Sequence, residues 1–352
     1  MRAKPTGGPA VVYAVCMVFA DAMTKAARLV ELQCLFARSP HRRWTTRELA
    51  AKLGIAQRTV RVYLVELSAS GRLPVFADKR GWRLVEGARL QLGPVSFQLE
   101  EAAAVYLAAR LLLRHSDEPN PAVREAIRRL AVVVPEDLGR FMDRLVERAE
   151  SDAEHPFAEI FRTVAYGWAT RRWVEIEYHA AGRAVAAPYR LAPYLLEPAT
   201  RDPSVYAIGL AEPPGTVRVF KLERVRRATL TGDTFEPPAV DDLLARLDQA
   251  WEVWLSDDGG TAVRLRFASG VARQVCEARW HPSQHVEKLR GGGVEMRLVV
   301  ASTVELVPWI LGWGAACEVV EPLPLRDRVA KEHAAAAKVY TPKAAAPSPT
   351  TT

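Results

Sequence analysis

The sequence predicts a multidomain α+β protein. Three observations support this fold class. Residues 45–67 have the spacing of two short helices joined by a tight turn. Residues 97–150 carry small and apolar side chains at helical spacing. From Trp173 onward, short alternating runs separated by Gly and Pro turns predict strands mixed with helices. A length of 352 residues fits two or three domains of roughly 100–200 residues each.

The net charge is distributed unevenly along the chain. Residues 23–90 contain 14 Lys and Arg against 5 Asp and Glu, a net charge of +9, whereas residues 91–352 carry −3. A basic segment joined to a mildly acidic remainder is typical of a nucleic-acid-binding module attached to other domains. Because Cys16, Cys34, Cys276 and Cys317 form no CxxC pair, a zinc ribbon or disulfide framework is not indicated, and we expect a cytoplasmic protein.

Residues 45–67 predict a helix-turn-helix. Thr45 or Thr46 can cap the first helix with Glu48 in a capping box, and Gly54 can supply the positive φ that ends it. The second helix would bury Val60, Leu64 and Leu67 and leave basic side chains near its N-terminus for a DNA major groove. The candidate DNA-binding residues here are Thr46, Gln57, Arg58, Thr59 and Arg61. The alternative is a pair of packed helices with a solvated basic face.

The flanking residues complete this module, which we place at 23–90. A helix is predicted at 23–37 and a short basic loop at 39–44. Apolar residues on both sides of a charged turn at 78–81 predict a β-hairpin, the wing of a winged helix. Lys79, Arg80 and Arg83 would lie at or near its tip and contact DNA. The alternative is an ordinary solvated hairpin.

Residues 91–155 are predicted to be a helical connector that forms dimers, because their apolar side chains follow helix-packing spacing. The first 22 residues imitate a signal peptide, but the apolar run at 11–19 is too short to span a membrane. We expect residues 1–22 to be a disordered extension or a mis-assigned start, with Met23 as initiator and no membrane association. The tail at 341–352, rich in Ala, Pro, Ser and Thr, should be disordered.

Residues 156–235 predict a helix at 157–170 followed by a small curled sheet or barrel. Strands are predicted at 173–178, 184–188, 204–210, 217–222 and 226–230, with turns at Gly182 and at 213–215. A concave sheet could bind a phosphorylated ligand or single-stranded nucleic acid through charge pairing and base stacking. An ordinary strand surface with salt bridges is the alternative. The basic and aromatic residues that recur along the sheet are Tyr178, Arg183, Tyr189, Arg190, Tyr206, Arg218, Lys221 and Arg224.

Residues 236–340 predict a second α+β unit after a linking helix at 240–249. Its strands are expected at 262–267, 286–290, 294–301 and 317–320, and its helices at 270–279, 303–312 and 325–339. Cys276, His281 and His285 raise the possibility of a metal-dependent hydrolase. Pro282 prevents a continuous helix from presenting both histidines, so we interpret them as surface histidines of a strand-edge loop. We therefore predict no catalytic residue, metal, cofactor or enzymatic activity.

The order of these parts resembles the bacterial WYL-domain transcriptional regulators that carry a C-terminal WCX extension, over about residues 24–340. The most specific motif is 220–225, Phe-Lys-Leu-Glu-Arg-Val, which is close to the family's F-R-L-D-R-I pattern. The name-giving Trp-Tyr-Leu motif departs from the family, because only Tyr206 of its three residues remains. The other matching motifs are Ile176-x-Tyr178, the run from Arg183 to Leu191 with Pro188-Tyr189, the run Val205 to Gly209, Arg279 to Gln284, Glu305 to Gly314, and Glu318 to Pro322.

The resemblance implies a DeoR-type winged helix, a small Sm-like β-barrel or sheet as the WYL domain, and a ferredoxin-like C-terminal unit. It also implies a homodimer that binds double-stranded operator DNA and senses an anionic effector, with nucleotides and single-stranded nucleic-acid fragments as candidates. The alternative is a non-sensing DNA-binding or scaffold dimer. By motif position, the implied ligand contacts are Tyr178, Arg183, Tyr206 and Arg224, with Arg218 and Lys221 beside them.

Overall fold

The computed structural model of the chain describes residues 24–40, 42–85, 92, 94–115, 120–149, 156–199, 204–255 and 259–340. It divides into two compact units, residues 1–102 and residues 103–352. The predictions made for residues 1–22 and 341–352 lie outside the described residues.

The N-terminal unit is built from three helices and a hairpin. The elements are α1 (Lys25–Arg38), α2 (Thr46–Leu53), α3 (Gln57–Ala69), β1 (Val75–Asp78) and β2 (Gly81–Leu84). The predicted burial of Val60, Leu64 and Leu67 is confirmed. These side chains pack with Phe36 and Leu49 in one apolar core. The helical periodicity of the sequence therefore located the buried side of α3 correctly.

Both ends of α2 have the predicted chemistry. The Thr45 side chain accepts a hydrogen bond from the Glu48 backbone N–H at 3.2 Å, and the Thr45 backbone N–H donates to the Glu48 carboxylate at 2.7 Å. The hydrogen bonds that the Thr45 backbone N–H and hydroxyl donate to the Glu48 carboxylate, together with Arg42, lower the pKa of Glu48 to about 2. Gly54 ends α2 with a φ of +63°. Local cap chemistry thus fixes where α2 begins and, at Gly54, where the chain turns into α3.

Trp44 joins the loop before α2 to the hairpin. Its backbone N–H donates to the Trp82 carbonyl at 2.9 Å, and the Trp82 N–H donates back at 2.8 Å. Gly81 adopts a φ of +134°, and a Cβ at this position would lie 2.6 Å from the Trp44 carbonyl oxygen. The prediction of a simple loop at 39–44 was therefore incomplete, because Trp44 adds a third bridging segment to the hairpin.

Three helices follow: α4 (Leu99–His115), α5 (Pro121–Ala131) and α6 (Glu136–Arg148). Asn120 caps α5 by accepting from the Ala122 N–H at 3.0 Å. A Cβ at Gly139 would lie 2.4 Å from the Ala131 carbonyl oxygen, so α6 approaches the end of α5 closely. The second helix ends at Ala131, whereas periodicity had extended it to residue 134.

A five-stranded antiparallel sheet follows α7 (Pro156–Ala169). The strands are β3 (Arg172–Tyr178), β4 (Ala187–Pro198), β5 (Val205–Glu212), β6 (Thr216–Lys221) and β7 (Val225–Thr234). They lie in the order β6-β5-β4-β3-β7. The prediction of a strand at 184–188 was wrong, because residues 184–186 are not in a strand and the long strand β4 begins at Ala187. The prolines of β4 and its buried run at 191–193 hide the alternation expected of a strand.

The two faces of this sheet bury different side chains. One face packs Val174, Leu191 and Phe220 against α7. The other packs Ile208 against Val253, which belongs to the segment that leads to the next sheet. A short 3-10 turn, Leu222–Arg224, joins β6 to β7. Because successive strand residues point to opposite faces, each predicted ligand residue is assigned to a face by its register.

The C-terminal sheet follows α8 (Val240–Leu247). Its four antiparallel strands lie in the order β11-β8-β10-β9 over one apolar core. Two helices are shorter than predicted, since α9 covers only six residues and α10 begins at Leu306. In the described parts of the chain, no helix is long and apolar enough to cross a membrane. The elements are β8 (Thr261–Phe267), α9 (Ala272–Glu277), β9 (His285–Lys288), β10 (Val294–Val300), α10 (Leu306–Gly312), β11 (Cys317–Glu321) and α11 (Leu323–Tyr340).

The segment between α8 and β8 is held by one carboxylate. Glu305 accepts hydrogen bonds from the backbone N–H groups of Glu252, Val253 and Trp254 at 3.0, 3.3 and 3.2 Å. Val253 itself is buried against the five-stranded sheet. The segment is therefore fixed by hydrogen bonds to the start of α10, which packs on the C-terminal sheet, and by apolar packing to the five-stranded sheet.

Candidate functional site

The N-terminal turn of α3 presents polar and basic side chains outward. Gln57, Arg58 and Arg61 are exposed, and Thr59 is half-buried. Neither arginine has a carboxylate within 4 Å in the described part of the N-terminal unit. Thr46 has a different role, because its hydroxyl accepts a hydrogen bond from the Trp82 indole N–H at 3.3 Å. The exposed cations can contact an anion directly, whereas Thr46 holds the hairpin to α2.

The hairpin separates its three basic candidates. Lys79 and Arg80 are exposed at the turn. Arg83 lies further back, with its guanidinium carbon 4.4 Å from the centre of the Phe76 ring and its Nε 3.7 Å from Asp78. The backbone N–H of Arg80, aided by the nearby arginines, lowers the pKa of Asp78. Arg83 is therefore partly neutralised within the hairpin, and the tip cations are Lys79 and Arg80.

Sequence reasoning missed Arg47. It lies in the first turn of α2, is exposed, and has no carboxylate within 4 Å among the residues described for this unit. The sequence feature that could have identified Arg47 is its position directly after Thr45 and Thr46, at the start of a predicted helix. A cation at a helix N-terminus is disfavoured by the helix dipole. An unpaired arginine at this position is thus available for an external anion.

Three rings of the five-stranded sheet form an aromatic cluster: Tyr178, Tyr189 and Phe220. The centre of the Phe220 ring lies 5.0 Å from that of Tyr178 and 5.2 Å from that of Tyr189. The Arg218 guanidinium carbon is 5.9 Å from the centre of the Tyr189 ring. The predicted residues Tyr178 and Arg218 thus share one face of the sheet with two further rings.

His179, which directly follows Tyr178 in the chain, contacts three arginines. Its backbone N–H donates to the Arg224 carbonyl at 3.0 Å, and its Nε2 lies 2.8 Å from the Arg183 carbonyl. Its Nδ1 is 3.5 Å from the Arg226 guanidinium. We call Arg183, Arg224 and Arg226 the arginine group. All three are exposed, and no ion pair with a carboxylate is present for them among the residues described in this sheet.

His179 and Arg226 were missed from the sequence, although each is within two residues of a predicted contact. Tyr206 and Lys221 behave differently, because they are directly opposite each other on β5 and β6 and face away from the aromatic cluster. Tyr206 packs with Ile208 and Val253, and Lys221 is only 6% exposed. The six predicted ligand residues therefore do not form one site.

Comparison with known families decides the nature of the two sheets. The WYL domain family matches residues 159–230, and the WCX domain family matches residues 260–337. The chain contains a WYL domain and a WCX domain. The two matches confirm these assignments, and neither match includes the N-terminal unit. The aromatic cluster and the arginine group both lie within the WYL domain.

Two solved structures show limited similarity to the whole chain. The proteasome accessory factor B/C (PafBC) of Arthrobacter aurescens is 17% identical, with a TM-score of 0.31 over 97% of this chain and 52% of that chain. A CRISPR Cas-related protein is 11% identical, with a TM-score of 0.39 over 94% of this chain and 91% of that chain. The chain thus spans about half the length of PafBC. No curated protein matches the sequence.

A cleft of the WYL sheet is lined mainly by residues of the face opposite the aromatic cluster. This cleft of about 640 Å³ is lined by Glu175, Glu177 and Glu212 together with Arg190 and Arg227. Arg190 is already paired with Asp233 and lies 3.5 Å from Glu212. Because acidic side chains balance its cations, this cleft offers an anion less attraction than the arginine group does.

His281 of the WCX domain corrects one prediction. It is 2% exposed and not a surface residue, whereas His285 is exposed. Its Nε2 lies 3.2 Å from the Ala250 carbonyl, and its Nδ1 lies 2.8 Å from the Ser283 hydroxyl. The ring stacks parallel to Trp251 at 6.1 Å. Across the described residues, no group of three or more His, Cys, Asp or Glu side chains is placed to hold a metal.

The buried His281 predicts an acid-sensitive WCX domain. Burial lowers the pKa of His281 below its ordinary value. Well above the unfolded-state pKa of about 6.5 the ring is neutral in both the folded and unfolded states, and it adds no pH dependence. As the pH falls further, the unfolded chain takes up the proton first, so the free energy of unfolding decreases. Urea unfolding between about pH 7.5 and about pH 5.5 measures this slope.

The control for this prediction is the exposed His285. The His281→Asn variant should lose part of the acid-induced decrease, whereas His285→Gln should retain all of it. Equal slopes in the native protein and in both variants would contradict the assignment of the acid sensitivity to His281.

Proposed function

We propose that the protein is a cytoplasmic, homodimeric transcription regulator that binds operator DNA through its N-terminal unit and senses an anionic ligand through its WYL domain. The observation that carries the proposal is the arginine group, whose shared neighbour His179 directly follows Tyr178 of the aromatic cluster. Three exposed arginines without carboxylate partners among the described residues attract an anion, and the rings of the same domain can stack on a base. An enzymatic role has no comparable support from the described residues.

The N-terminal unit supports DNA binding as a DeoR-type winged helix. Three helices followed by a hairpin, with Trp44 bridging to Trp82, fit this arrangement. The exposed Arg58 and Arg61 lie near the N-terminus of α3, where a recognition helix contacts base edges. The charge of +9 on residues 23–90 favours the phosphate backbone. A two-fold dimer would place two such helices on two half-sites.

Strand order supports the finer fold assignments. A helix followed by five antiparallel strands in the order β6-β5-β4-β3-β7 fits an Sm-like curled sheet for the WYL domain. The WCX domain follows the pattern β-α-β-β-α-β, with its first and third strands central in the order β11-β8-β10-β9. This pattern favours a ferredoxin-like unit.

The proposed ligand contacts are Tyr178, Arg183, Arg218 and Arg224, to which His179 and Arg226 are added. Tyr206 and Lys221 support the sheet from its other face. A ligand bound here would favour one arrangement of the dimer and so change operator affinity. Coupling free energies between sites are typically about 1–3 kcal/mol. A nucleotide or a short single-stranded nucleic acid supplies both the charge and the stacking surface.

The test uses the full-length protein. Selection from fragmented genomic DNA identifies a bound duplex, and fluorescence anisotropy then measures its affinity with and without a 5′-phosphorylated single-stranded hexamer or a nucleoside monophosphate. We expect the Arg183→Ala/Arg224→Ala variant to bind the duplex normally and to lose the ligand-dependent change. Arg227→Ala, which removes an exposed arginine on the opposite face, should keep it.

Two outcomes would contradict the sensing role. If the native protein binds duplex DNA and no anionic probe changes that affinity, the non-sensing scaffold dimer is the better description. If the double variant responds as fully as the native protein, the ligand binds elsewhere. Failure to select any duplex would contradict DNA binding itself.

A further inference from the structure

Helix α4 presents an apolar stripe to solvent. Leu107 and Leu111 are 65% and 58% exposed, and Ala103 is half-buried. Because an α-helix turns about 100° per residue, Ala103 and Leu111 lie within about 40° of Leu107 on either side. Exposed apolar side chains aligned on one helix face mark a surface that a protein partner covers.

Charges of opposite sign flank this stripe. Glu100 lies about two helical turns before Leu107, and Arg114 lies about two turns after it. Both side chains therefore project within about 20° of the direction of Leu107. Both side chains are exposed, and neither has an ion pair among the described residues. Along one face of α4, an acidic residue (Glu100) is therefore followed by apolar residues around Leu107 and then by a basic residue (Arg114).

This order is complementary to itself in one orientation only. When two copies of α4 run antiparallel about a two-fold axis at Leu107, Glu100 of each copy meets Arg114 of the other. The small Ala103 then faces the larger Leu111, which permits close packing. A parallel pair would place Glu100 beside Glu100 and Arg114 beside Arg114, which is unfavourable.

We propose that α4 pairs antiparallel with α4 of a second copy of this chain, with Leu107 at the two-fold axis. The inference deepens the proposed function, because it names the surface and orientation of the homodimer. It does not depend on DNA or ligand binding, since the complementarity is contained in one helix face.

Charge reversal tests the orientation. Sedimentation equilibrium of the full-length protein without DNA gives the dimer dissociation constant. Glu100→Arg and Arg114→Glu should each weaken the dimer by about tenfold, because each creates two symmetric like-charge contacts. The double variant E100R/R114E should restore the native affinity, since it exchanges the charges. A double variant as weak as the single variants would overturn the proposal.

Cysteine crosslinking tests the position of the axis. In a background with Cys16 and Cys276 replaced by Ser, Leu107→Cys should form an intermolecular disulfide rapidly. Val105→Cys is the control, because it is 41% exposed and points to the opposite side of the helix. Equal crosslinking of the two variants, or a native protein that is monomeric at equilibrium, would overturn the proposal. The selection of duplex DNA by the protein is a separate measurement, and it tests DNA binding whichever way the crosslinking turns out.

Discussion

Replacing Arg58 and Arg61 together by alanine should lower operator affinity by about two orders of magnitude or more. Each arginine is exposed near the N-terminus of α3 and lacks an internal carboxylate partner among the described residues, so each is available for DNA. A bidentate contact to guanine is worth about 1–3 kcal/mol, and the loss of a phosphate contact also reduces the salt dependence of binding. Fluorescence anisotropy over a series of salt concentrations measures both effects.

The matched control is Arg72→Ala. Arg72 is also exposed in the N-terminal unit, but it follows the C-terminal end of α3, whereas Arg58 and Arg61 are near its N-terminal end. This variant should keep nearly the native affinity. An unchanged affinity and salt slope in the double variant would show that α3 is not the recognition helix. Thermal unfolding of both variants verifies that each is folded.

Replacing Gly209 by valine should destabilise the WYL domain by more than about 4 kcal/mol, a size reserved for severe core disruptions. A Cβ at Gly209 would lie 2.0 Å from the Ala192 carbonyl oxygen and 2.8 Å from its carbonyl carbon. Both atoms belong to the backbone of β4, so they cannot move away without breaking its pairing with β5. Urea unfolding and near-ultraviolet circular dichroism measure the loss.

Gly232→Val provides the comparison for this prediction. Gly232 is on β7 of the same sheet, and a Cβ there would meet no atom within 4 Å. Its replacement should change the free energy of unfolding by less than about 1 kcal/mol. Equal stability of the two variants would contradict the close approach of β4 to β5 at Gly209.

The sequence predicted best where structure is determined by near neighbours. The capping box at Thr45, the positive φ at Gly54 and the buried residues of α3 depend on residues within a few positions. The bridge from Trp44 to Trp82 could not be predicted in this way, because its partners are 38 positions apart. Strand β4 was missed because its prolines and buried run lack an alternating pattern.

The candidate ligand site was predictable only in part. The sequence named Tyr178 and Arg218 as candidates on the sheet, but assigning Tyr206 and Lys221 to the other face requires the strand register. His281 was mistaken for a surface residue because its cover, Trp251 and the Ala250 carbonyl, comes from a segment about 30 positions earlier. Residue types thus indicated the chemistry, whereas pairing between distant segments decided which side chains meet.

The carboxylate of Glu305 has a mechanical consequence. The segment around Val253 is held by three hydrogen bonds to Glu305 on one side and by the buried Val253 side chain on the other. It is therefore not a flexible linker. Any displacement of the WYL face that carries Tyr206 and Ile208 has to be accommodated at Val253, and from there at the start of α10. The segment therefore joins the two sheets through contacts at both of its sides, and we expect a displacement of one sheet to shift the other.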